Sequence, residues 1–178
     1  MNAVVEIVAA STPEQLDAVR SLFLSYRRQL WSECQLPDSE WQSLPGAYSP
    51  PDGGLLLALV NGNPAGCVGL RSFPQESTCE MKRLFVSPEF RGHHLGQELI
   101  TAVIRLARKR GYARMRLDTH PPTMATAVAL YRHFGFRDIN AAPLQQSAEL
   151  AYMELELNRT SFLELITSDS DNPMKAGS

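Results

Sequence analysis

The sequence predicts one α/β domain built on a mixed, mostly antiparallel central sheet. Three runs suited to strands, Leu55 to Val60, Ala65 to Phe73 and Thr78 to Val86, follow one another through short connections, as in an antiparallel meander. A loop, a helix and a fourth strand come next, and this order makes Met81 to Val86 and Ala113 to Thr119 parallel neighbours. A length of 178 residues with 44% hydrophobic content suits a single domain with a sizeable core.

The charge balance excludes several classes of function. Charged residues make up 20% of the chain and the formal net charge is -2. This composition provides neither a broad basic footprint for nucleic acid nor a polybasic run for a membrane surface. No stretch approaches the length of a transmembrane helix, and the N-terminus lacks the basic start of a signal peptide. We therefore expect a cytoplasmic protein without a nucleic-acid or membrane partner.

The first two elements are predicted to be a strand and a capped helix. Val4 to Ala9 is a short apolar run. Thr12 then offers a capping hydroxyl, Pro13 stands at the first helical position, and Gln15 lies three residues after the cap. The helix is expected to extend to about Trp31, with an apolar stripe at Leu16, Val19, Phe23, Leu24 and Leu30.

The segment from Glu33 to Gly54 is the least regular part of the interior of the chain. It contains four prolines and three glycines, and a short helix fits around Ser39 to Ser43. Trp41 and Tyr48 stand in this polar surround. Long irregular segments in compact domains are often binding loops, so the segment either contacts a substrate or packs at the edge of the fold.

The three-strand meander has a turn signal and an alternating third strand. Asn61-Gly62 lies between the first two strands and predicts a tight hairpin turn. Strict alternation in the third strand assigns its residues to two faces of the sheet. One face would hold Glu80, Lys82, Leu84 and Val86, and the other Cys79, Met81, Arg83 and Phe85.

A glycine-bearing loop between Val86 and Gly96 joins the third strand to the central helix. Pro88 stops the strand, and the following helix begins near Leu95. Several backbone N–H groups at the start of a helix have no partner within it and lie at the positive end of its dipole. Such an end attracts phosphate.

The remaining elements follow from periodicity and glycine stops. We predict a helix from Leu95 to Arg110 ended by Gly111, a helix from Thr123 to Phe134 ended by Gly135, and a last hairpin from Phe136 onward with Leu150 to Leu157. The domain is expected to cover residues 1–158. Residues 159–178 are expected to form a polar tail with a short helix near Phe162 to Ile166.

The cysteines and histidines do not form a recognisable metal site. Three cysteines, Cys34, Cys67 and Cys79, have no metal-ligand spacing and are expected to be reduced, the last two as small core residues in strands. The four histidines include no pair four residues apart on one helix, so no metal is expected. His120 follows a predicted parallel strand and is either an acceptor contact or a turn residue before two prolines.

The loop sequence is similar to that of a known family. Arg91-Gly92-His93-His94-Leu95-Gly96 resembles the Gln/Arg-x-x-Gly-x-Gly/Ala loop of the GNAT superfamily of acyl-CoA-dependent N-acetyltransferases. The resemblance includes Val-x-Pro-x-Phe-Arg-Gly before the helix and the downstream segment from Ala127 to Phe136, and it covers about Leu55 to Leu157. It implies a fold in which the parallel strand pair splays apart and helices cover both faces of the sheet. His94 departs from the family pattern, since it stands where the first loop glycine is usual.

The resemblance also implies a cosubstrate and its contacts. The family binds acetyl-CoA, with no metal, and its loop amides hold the pyrophosphate. Carried over to this chain, these are the amides of Arg91, Gly92, His93, His94, Leu95 and Gly96. The pantetheine arm would pair like an extra strand with the main chain of Leu84, Phe85 and Val86. Met124 occupies the place of an asparagine that often touches the cofactor.

Two side chains are candidates for the chemistry of acyl transfer. Glu80 lies on the strand that enters the loop, where the family often uses a glutamate as the base. The alternative is that Glu80 forms an ion pair with Lys82, Arg71 or Arg116. Tyr131 matches the family's tyrosine near the sulfur of coenzyme A, where it protonates the thiolate. Periodicity alone would place it in a packed helical stripe.

The sequence thus predicts transfer of an acetyl group from acetyl-CoA to a primary amine of a small molecule. The alternatives are acetylation of a protein N-terminus or lysine, and a non-catalytic acyl-CoA-binding module. The small-molecule acceptor is favoured because the chain has no broad charged docking face. The sequence leaves the oligomeric state open, a homodimer included.

Overall fold

The computed structural model describes residues 2–29, 38–140 and 149–157. Seven strands and four α-helices are present in these ranges. The strands are β1 Val5–Ala9, β2 Gly54–Val60, β3 Asn63–Ser72, β4 Thr78–Val86, β5 Arg114–Thr119, β6 Arg137–Ile139 and β7 Ala151–Glu156. The helices are α1 Pro13–Gln29, α2 Asp38–Gln42, α3 Leu95–Lys109 and α4 Ala125–His133.

The seven strands form one mixed sheet in the order β1-β2-β3-β4-β5-β7-β6. Every neighbouring pair is antiparallel except β4 and β5. Hydrogen bonding between these two covers only residues 78–80 of β4 and 114–116 of β5. Beyond that point the strands separate. The predicted mixed sheet with a splayed parallel pair is confirmed, although the pairing precedes Met81 and does not run along Met81 to Val86.

Two apolar clusters hold helices against opposite faces of the sheet. The face that carries α3 and α4 buries Leu99, Val103, Met115 and Tyr131, among others. The opposite face packs α1 through a second cluster that includes Phe23. Both faces are therefore covered along β2 to β4, as the resemblance implied.

Several local signals in the sequence form the structures that they predict. Thr12 Oγ1 accepts a hydrogen bond from the Gln15 amide at 3.2 Å, and Gln15 Oε1 accepts one from the Thr12 amide at 3.1 Å. This reciprocal pair is a capping box at the start of α1. Asn61 and Gly62 both have positive φ, 50° and 79°, which is the backbone of the tight hairpin turn between β2 and β3.

A β-bulge in β4 overturns the predicted division of its faces. Between the pairs Cys67↔Phe85 and Gly69↔Lys82, β3 advances by two residues and β4 by three. Arg83 lies in the bulge with a φ of 59°. The extra residue reverses the alternation, so Leu84 and Val86 pack on the α3 face while Phe85 joins the cluster under α1. The prediction that Leu84 and Val86 share a face with Glu80 and Lys82 is wrong for this reason.

Some expectations fall on residues outside the described ranges. These are the end of α1 near Trp31, the position of Cys34, the short helix near Phe162 to Ile166 and the polar tail. The boundary of the domain at residue 158 stays a prediction. Among the helices of the described residues, none combines the length and apolar character that a bilayer crossing needs.

Candidate functional site

A cavity of about 480 Å³ lies between the splayed strands and the first turn of α3, and we call it the loop cavity. Its lining residues come from the end of β4, the loop before α3, α4 and one side chain of α1. They are Tyr26, Leu84, Phe85, Val86, Phe90, Arg91, Gly92, His94, Leu95, Gly96, Thr123, Met124, Thr126, Ala127 and Leu130. Of the loop and strand residues predicted to hold a cofactor, all except His93 line this cavity.

The loop presents backbone donors without acceptors. Within the described part of the chain, the amides of residues 92–97 have no hydrogen-bond acceptor, and the first helical bond runs from Glu98 to the His94 carbonyl at 3.1 Å. Gly92 has a φ of 89°, and a Cβ added there would meet no protein atom within 4 Å. Unpaired amides around open space at a helix N-terminus suit an anion such as pyrophosphate.

His94 adopts a left-handed backbone conformation at the N-cap of α3. Its φ is 57° and its ψ is 18°, and its side chain makes no capping hydrogen bond. This conformation explains why glycine is usual at the position, since glycine adopts positive φ without strain. His94 thus holds at the N-cap a backbone conformation that glycine adopts without strain.

A narrow space of about 40 Å³ lies where β4 and β5 separate, and we call it the junction cavity. It shares Tyr26, Leu84 and Met124 with the loop cavity, and Tyr131 from α4 forms part of its wall. Tyr131 is 5% exposed and stacks edge-on against Phe136 at 5.8 Å between ring centroids. The tyrosine therefore belongs to the core stripe and faces the junction cavity as well.

The chemical state of Tyr131 follows from its burial. Burial raises its pKa well above the ordinary value of a tyrosine, and the nearby Tyr26 and Asp118 raise it further. Loss of the proton would leave a charge in a poorly solvated place beside a carboxylate. The hydroxyl therefore stays protonated at neutral pH.

A third cavity of about 590 Å³ lies beyond the junction, on the α1 face of the sheet, and we call it the charged cavity. Its lining residues are Ala47, Arg71, Ser72, Phe73, Pro74, Glu80, Lys82, Arg116, Leu117, Asp118, Ile139 and Tyr152. Lys82, Leu117 and Asp118 line both this cavity and the junction cavity. The charged cavity thus adjoins the junction cavity through these three residues.

Four charged side chains, those of Arg71, Glu80, Arg116 and Glu154, form one row across the sheet, and the first three line the charged cavity. Strand register pairs Arg71 with Glu80, Glu80 with Arg116, and Arg116 with Glu154, so the charges alternate in sign from β3 to β7. Glu80 Oε2 lies 2.8 Å from both Nε and Nη2 of Arg71. Arg116 Nε donates to Glu154 at 2.7 Å. We call this set the charge row.

Both carboxylate oxygens of Glu80 form ion pairs. Besides Arg71 at Oε2, its Oε1 lies 3.2 Å from Lys82 Nζ, and the residue is 8% exposed. Lys82 also forms an ion pair with Asp118 across the gap between β4 and β5. Of the two interpretations of Glu80, these contacts match the ion pair with Arg71 and Lys82.

The irregular segment before β2 is anchored to the bulge of β4. Glu40 of α2 accepts two hydrogen bonds from Arg83, 2.9 Å from Nε and 2.7 Å from Nη2, and a third from the Tyr48 hydroxyl. Gly69 admits the Tyr48 ring, since a Cβ there would lie 2.6 Å from it. Ala47 lines the charged cavity, so this segment both packs on the sheet and borders the site.

Other predicted residues have simpler surroundings. His120 lines the junction cavity, and its Nδ1 lies 2.8 Å from Thr123 Oγ1. Cys67 and Cys79 are fully buried free thiols in β3 and β4, as predicted. Among the described residues, no group of three side chains is placed to hold a metal ion.

The sequence alone did not indicate the charged cavity or Tyr26. The residues of the charge row come from four strands between positions 71 and 154, and only the register of the sheet brings them side by side. Tyr26 lies on the stripe of α1, where it meets Phe85 at 5.6 Å between ring centroids. Its helical spacing does not distinguish it from a core residue.

Comparison with known proteins identifies the family. The model of the acetyltransferase (GNAT) family matches residues 16–136. The chain belongs to the GNAT family. An uncharacterized N-acetyltransferase of Schizosaccharomyces pombe is 35% identical to this GNAT protein over 158 residues, which cover 87% of this chain and 96% of the relative.

Solved GNAT structures share the fold. A GNAT-family acetyltransferase of Staphylococcus aureus Mu50 has a TM-score of 0.74 at 19% identity, covering 87% of this chain and 100% of that one. The PaiA N-acetyltransferase of Thermoplasma acidophilum, solved in complex with coenzyme A, has a TM-score of 0.68 at 17% identity and covers 86% and 99%. The expectation of an acyl-CoA-dependent N-acetyltransferase is confirmed at the level of the family.

Proposed function

We propose that this GNAT protein transfers the acetyl group of acetyl-CoA to a primary amine of a small molecule. The observation that carries the proposal is that the three cavities adjoin in order, since the junction cavity beside Tyr131 shares lining residues with both the loop cavity and the charged cavity. A donor entering by the loop and an acceptor entering by the charged cavity would meet at the junction. Acetyl-CoA supplies the thioester carbonyl that the amine attacks.

Donor binding is proposed to rest on main-chain contacts. The unpaired amides of residues 92–97 would hold the pyrophosphate, helped by the positive end of the α3 dipole. Leu84, Phe85 and Val86 stand where β4 has left β5, so the strand offers free backbone groups to the pantetheine arm. Such contacts depend on backbone shape, which supports the assignment despite His94.

The transfer forms an amide C–N bond and breaks the thioester C–S bond. An ammonium acceptor gives up two protons overall; one returns to the leaving sulfur and the other passes to solvent. We propose that Tyr131 donates a hydrogen bond to the sulfur as negative charge develops on it. The raised pKa of Tyr131 supports this role, because the hydroxyl remains protonated and can donate a hydrogen bond to the sulfur.

Glu80 is proposed to act by positioning. With Oε1 and Oε2 both occupied by cations, it holds Arg71 and Lys82 in place rather than meeting the amine itself. This role predicts that Glu80→Gln raises KM for the acceptor more than it lowers kcat. A fall in kcat of about a hundredfold or more would restore the assignment of Glu80 as the base.

Donor binding is tested by thermal unfolding with acetyl-CoA and with free coenzyme A. A ligand that binds only the folded state raises Tm with concentration, so both should do so. Gly92→Val should reduce the shift, because it strains the loop and fills its open space. Gly111→Val matches it as a control, since Gly111 also has a positive φ, 87°, but lies at the other end of α3. No shift in the wild type at millimolar ligand would contradict the proposal.

Catalysis is tested by release of free thiol in the presence of amines and peptides. Tyr131→Phe should lower kcat by about a hundredfold while leaving the thermal shift with coenzyme A unchanged. Tyr112→Phe is the matched control, because the Tyr112 hydroxyl donates to the Asp52 carbonyl at 2.8 Å, away from the three cavities. A protein that binds acetyl-CoA and acetylates no acceptor would instead be the non-catalytic module, and preferred acetylation of peptides would indicate a protein acceptor.

A further inference from the structure

The charged cavity carries information about the acceptor that the family does not supply. Resting on the proposed function, we propose that the acceptor is an amine that also bears a carboxylate, such as an amino acid. Its ammonium group would bind Asp118 at the junction, and its carboxylate would bind Arg116 in the charge row. The acceptor's two charges would thus be matched by two residues of β5.

Asp118 is placed to receive the ammonium group. It is shared by the junction cavity and the charged cavity, and its charge acts on Tyr131. Its ion pair with Lys82 uses Oδ1, and among the described residues Oδ2 makes no hydrogen bond. Glu80, in contrast, is engaged at both oxygens. An amine bound to Oδ2 of Asp118 would therefore lie beside the junction cavity, where the donor and the acceptor are proposed to meet.

Arg116 has N–H donors that its contact with Glu154 does not use. Its contact with Glu154 uses Nε, and its guanidinium carbon lies 5.2 Å from the centre of the Phe73 ring. Within the described part of the chain neither of its Nη atoms makes a hydrogen bond, and the side chain is 23% exposed. The planar guanidinium can bind a carboxylate through two parallel N–H bonds.

The spacing of the two residues suits a small bifunctional molecule. Arg116 and Asp118 are two positions apart on β5, so their Cβ atoms lie on one face about 7 Å apart. The charged cavity also has apolar lining residues, which would pack against the methylenes or the side chain of the acceptor. These are Phe73, Leu117, Ile139 and Tyr152.

The first experiment compares matched acceptors with the wild-type protein. The twenty common amino acids and the ω-amino acids from glycine to 6-aminohexanoate are each assayed for thiol release against the corresponding amide and the amine without the acid group. We expect kcat/KM to be about ten- to a hundredfold higher for the best acid than for its two neutral partners. Equal or higher values for the neutral partners would overturn the inference and leave the proposed function standing.

The second experiment removes the proposed carboxylate contact. Arg116→Gln is paired with the double variant Arg116→Gln/Glu154→Gln, which does not leave the Glu154 carboxylate unpaired. In either variant the ratio of kcat/KM for the best acid to kcat/KM for its neutral partners should fall to about one. Arg132→Gln, which breaks an exposed ion pair with Asp138, should retain the advantage. An advantage that survives in a folded double variant would overturn the inference.

Failure of the proposed function would give a different result. If acetyl-CoA raises Tm but no thiol is released with any amino acid, amine or peptide, then the proposed transfer to an amine is wrong, and the inference is wrong with it. Activity confined to amines without an acid group would overturn the inference and leave the proposed function standing.

Discussion

His94 is a residue with a side chain that holds a left-handed backbone conformation at the N-cap of α3. A residue with a side chain in the left-handed region costs about 1–2 kcal/mol relative to the right-handed one. His94 stands in that region with a φ of 57°, whereas His93 does not have a positive φ. The two neighbouring histidines therefore form a natural pair for comparison.

We expect His94→Gly to raise the free energy of unfolding by about 0.5–1 kcal/mol, because relief of strain exceeds the added freedom of the unfolded chain. His93→Gly should lower it by a similar amount, since only the unfolded chain gains freedom there. Urea denaturation measures both changes. A loss of stability in His94→Gly as large as in His93→Gly would show that the His94 backbone is unstrained.

The residues of the candidate site differ in how far the sequence could identify them. The loop residues and Tyr131 stand in contiguous motifs, where the family order identifies them without any structure. Glu80 could be located, but the choice between base and ion pair depends on the positions of Arg71 and Lys82. Asp118 and Arg116 could be predicted only as outward residues of a strand, because the groups they face lie on other strands.

At the scale of elements, the bulge in β4 determines which side chains reach which face. The extra residue at Arg83 turns this long cation toward α2, where the Glu40 carboxylate binds it through two hydrogen bonds. Both side chains are 14% exposed. This largely buried ion pair connects the irregular segment before β2 to the strand that lines the loop cavity.

Removing one partner of such a pair leaves the other charged and poorly solvated. We expect Glu40→Gln to lower the free energy of unfolding by about 3 kcal/mol, measured by urea denaturation. Asp138→Asn is the control, because its ion pair with Arg132 is 61% and 60% exposed and should contribute less than about 1 kcal/mol. An equal and small effect of both substitutions would mean that α2 is held by apolar packing instead.

At the scale of the whole molecule, several buried neutral groups make the stability of the fold depend on pH in the same direction. Burial raises the pKa of Cys79 from 9.0 to about 12, and it also raises the pKa values of Cys67, Tyr48 and Tyr131. Each group holds its proton more tightly in the folded state than in the unfolded state. Their contribution to stability is therefore complete below the unfolded pKa and is lost as pH rises toward the folded one.

We expect the stability to fall above about pH 9, by about 1.4 kcal/mol per pH unit for each thiol that ionises only on unfolding. Tm measured from pH 7 to 10 follows this loss. The double variant Cys67→Ala/Cys79→Ala should have a lower Tm overall but a flatter decline between pH 8.5 and 9.5. An identical decline in the two proteins would assign the loss to other groups.

The sequence by itself determined the helices, strands and turns named below and the unpaired amides of the loop before α3. The capping box at Thr12, the Asn61-Gly62 turn and the apolar spacing of α3 act over a few residues, so their outcome does not depend on distant parts of the chain. The same holds for the amides at the start of α3, since the end of any helix leaves them unpaired.

Only the tertiary structure decided which side chains meet across the sheet. The charge row depends on the register of four strands, and the faces of β4 depend on one extra residue that no local pattern marks. Register is a property of pairs of strands, and a slip of one residue moves every side chain to the opposite face. The local sequence therefore predicts where the loop before α3 lies, whereas the charges of the charge row come together only in the folded sheet.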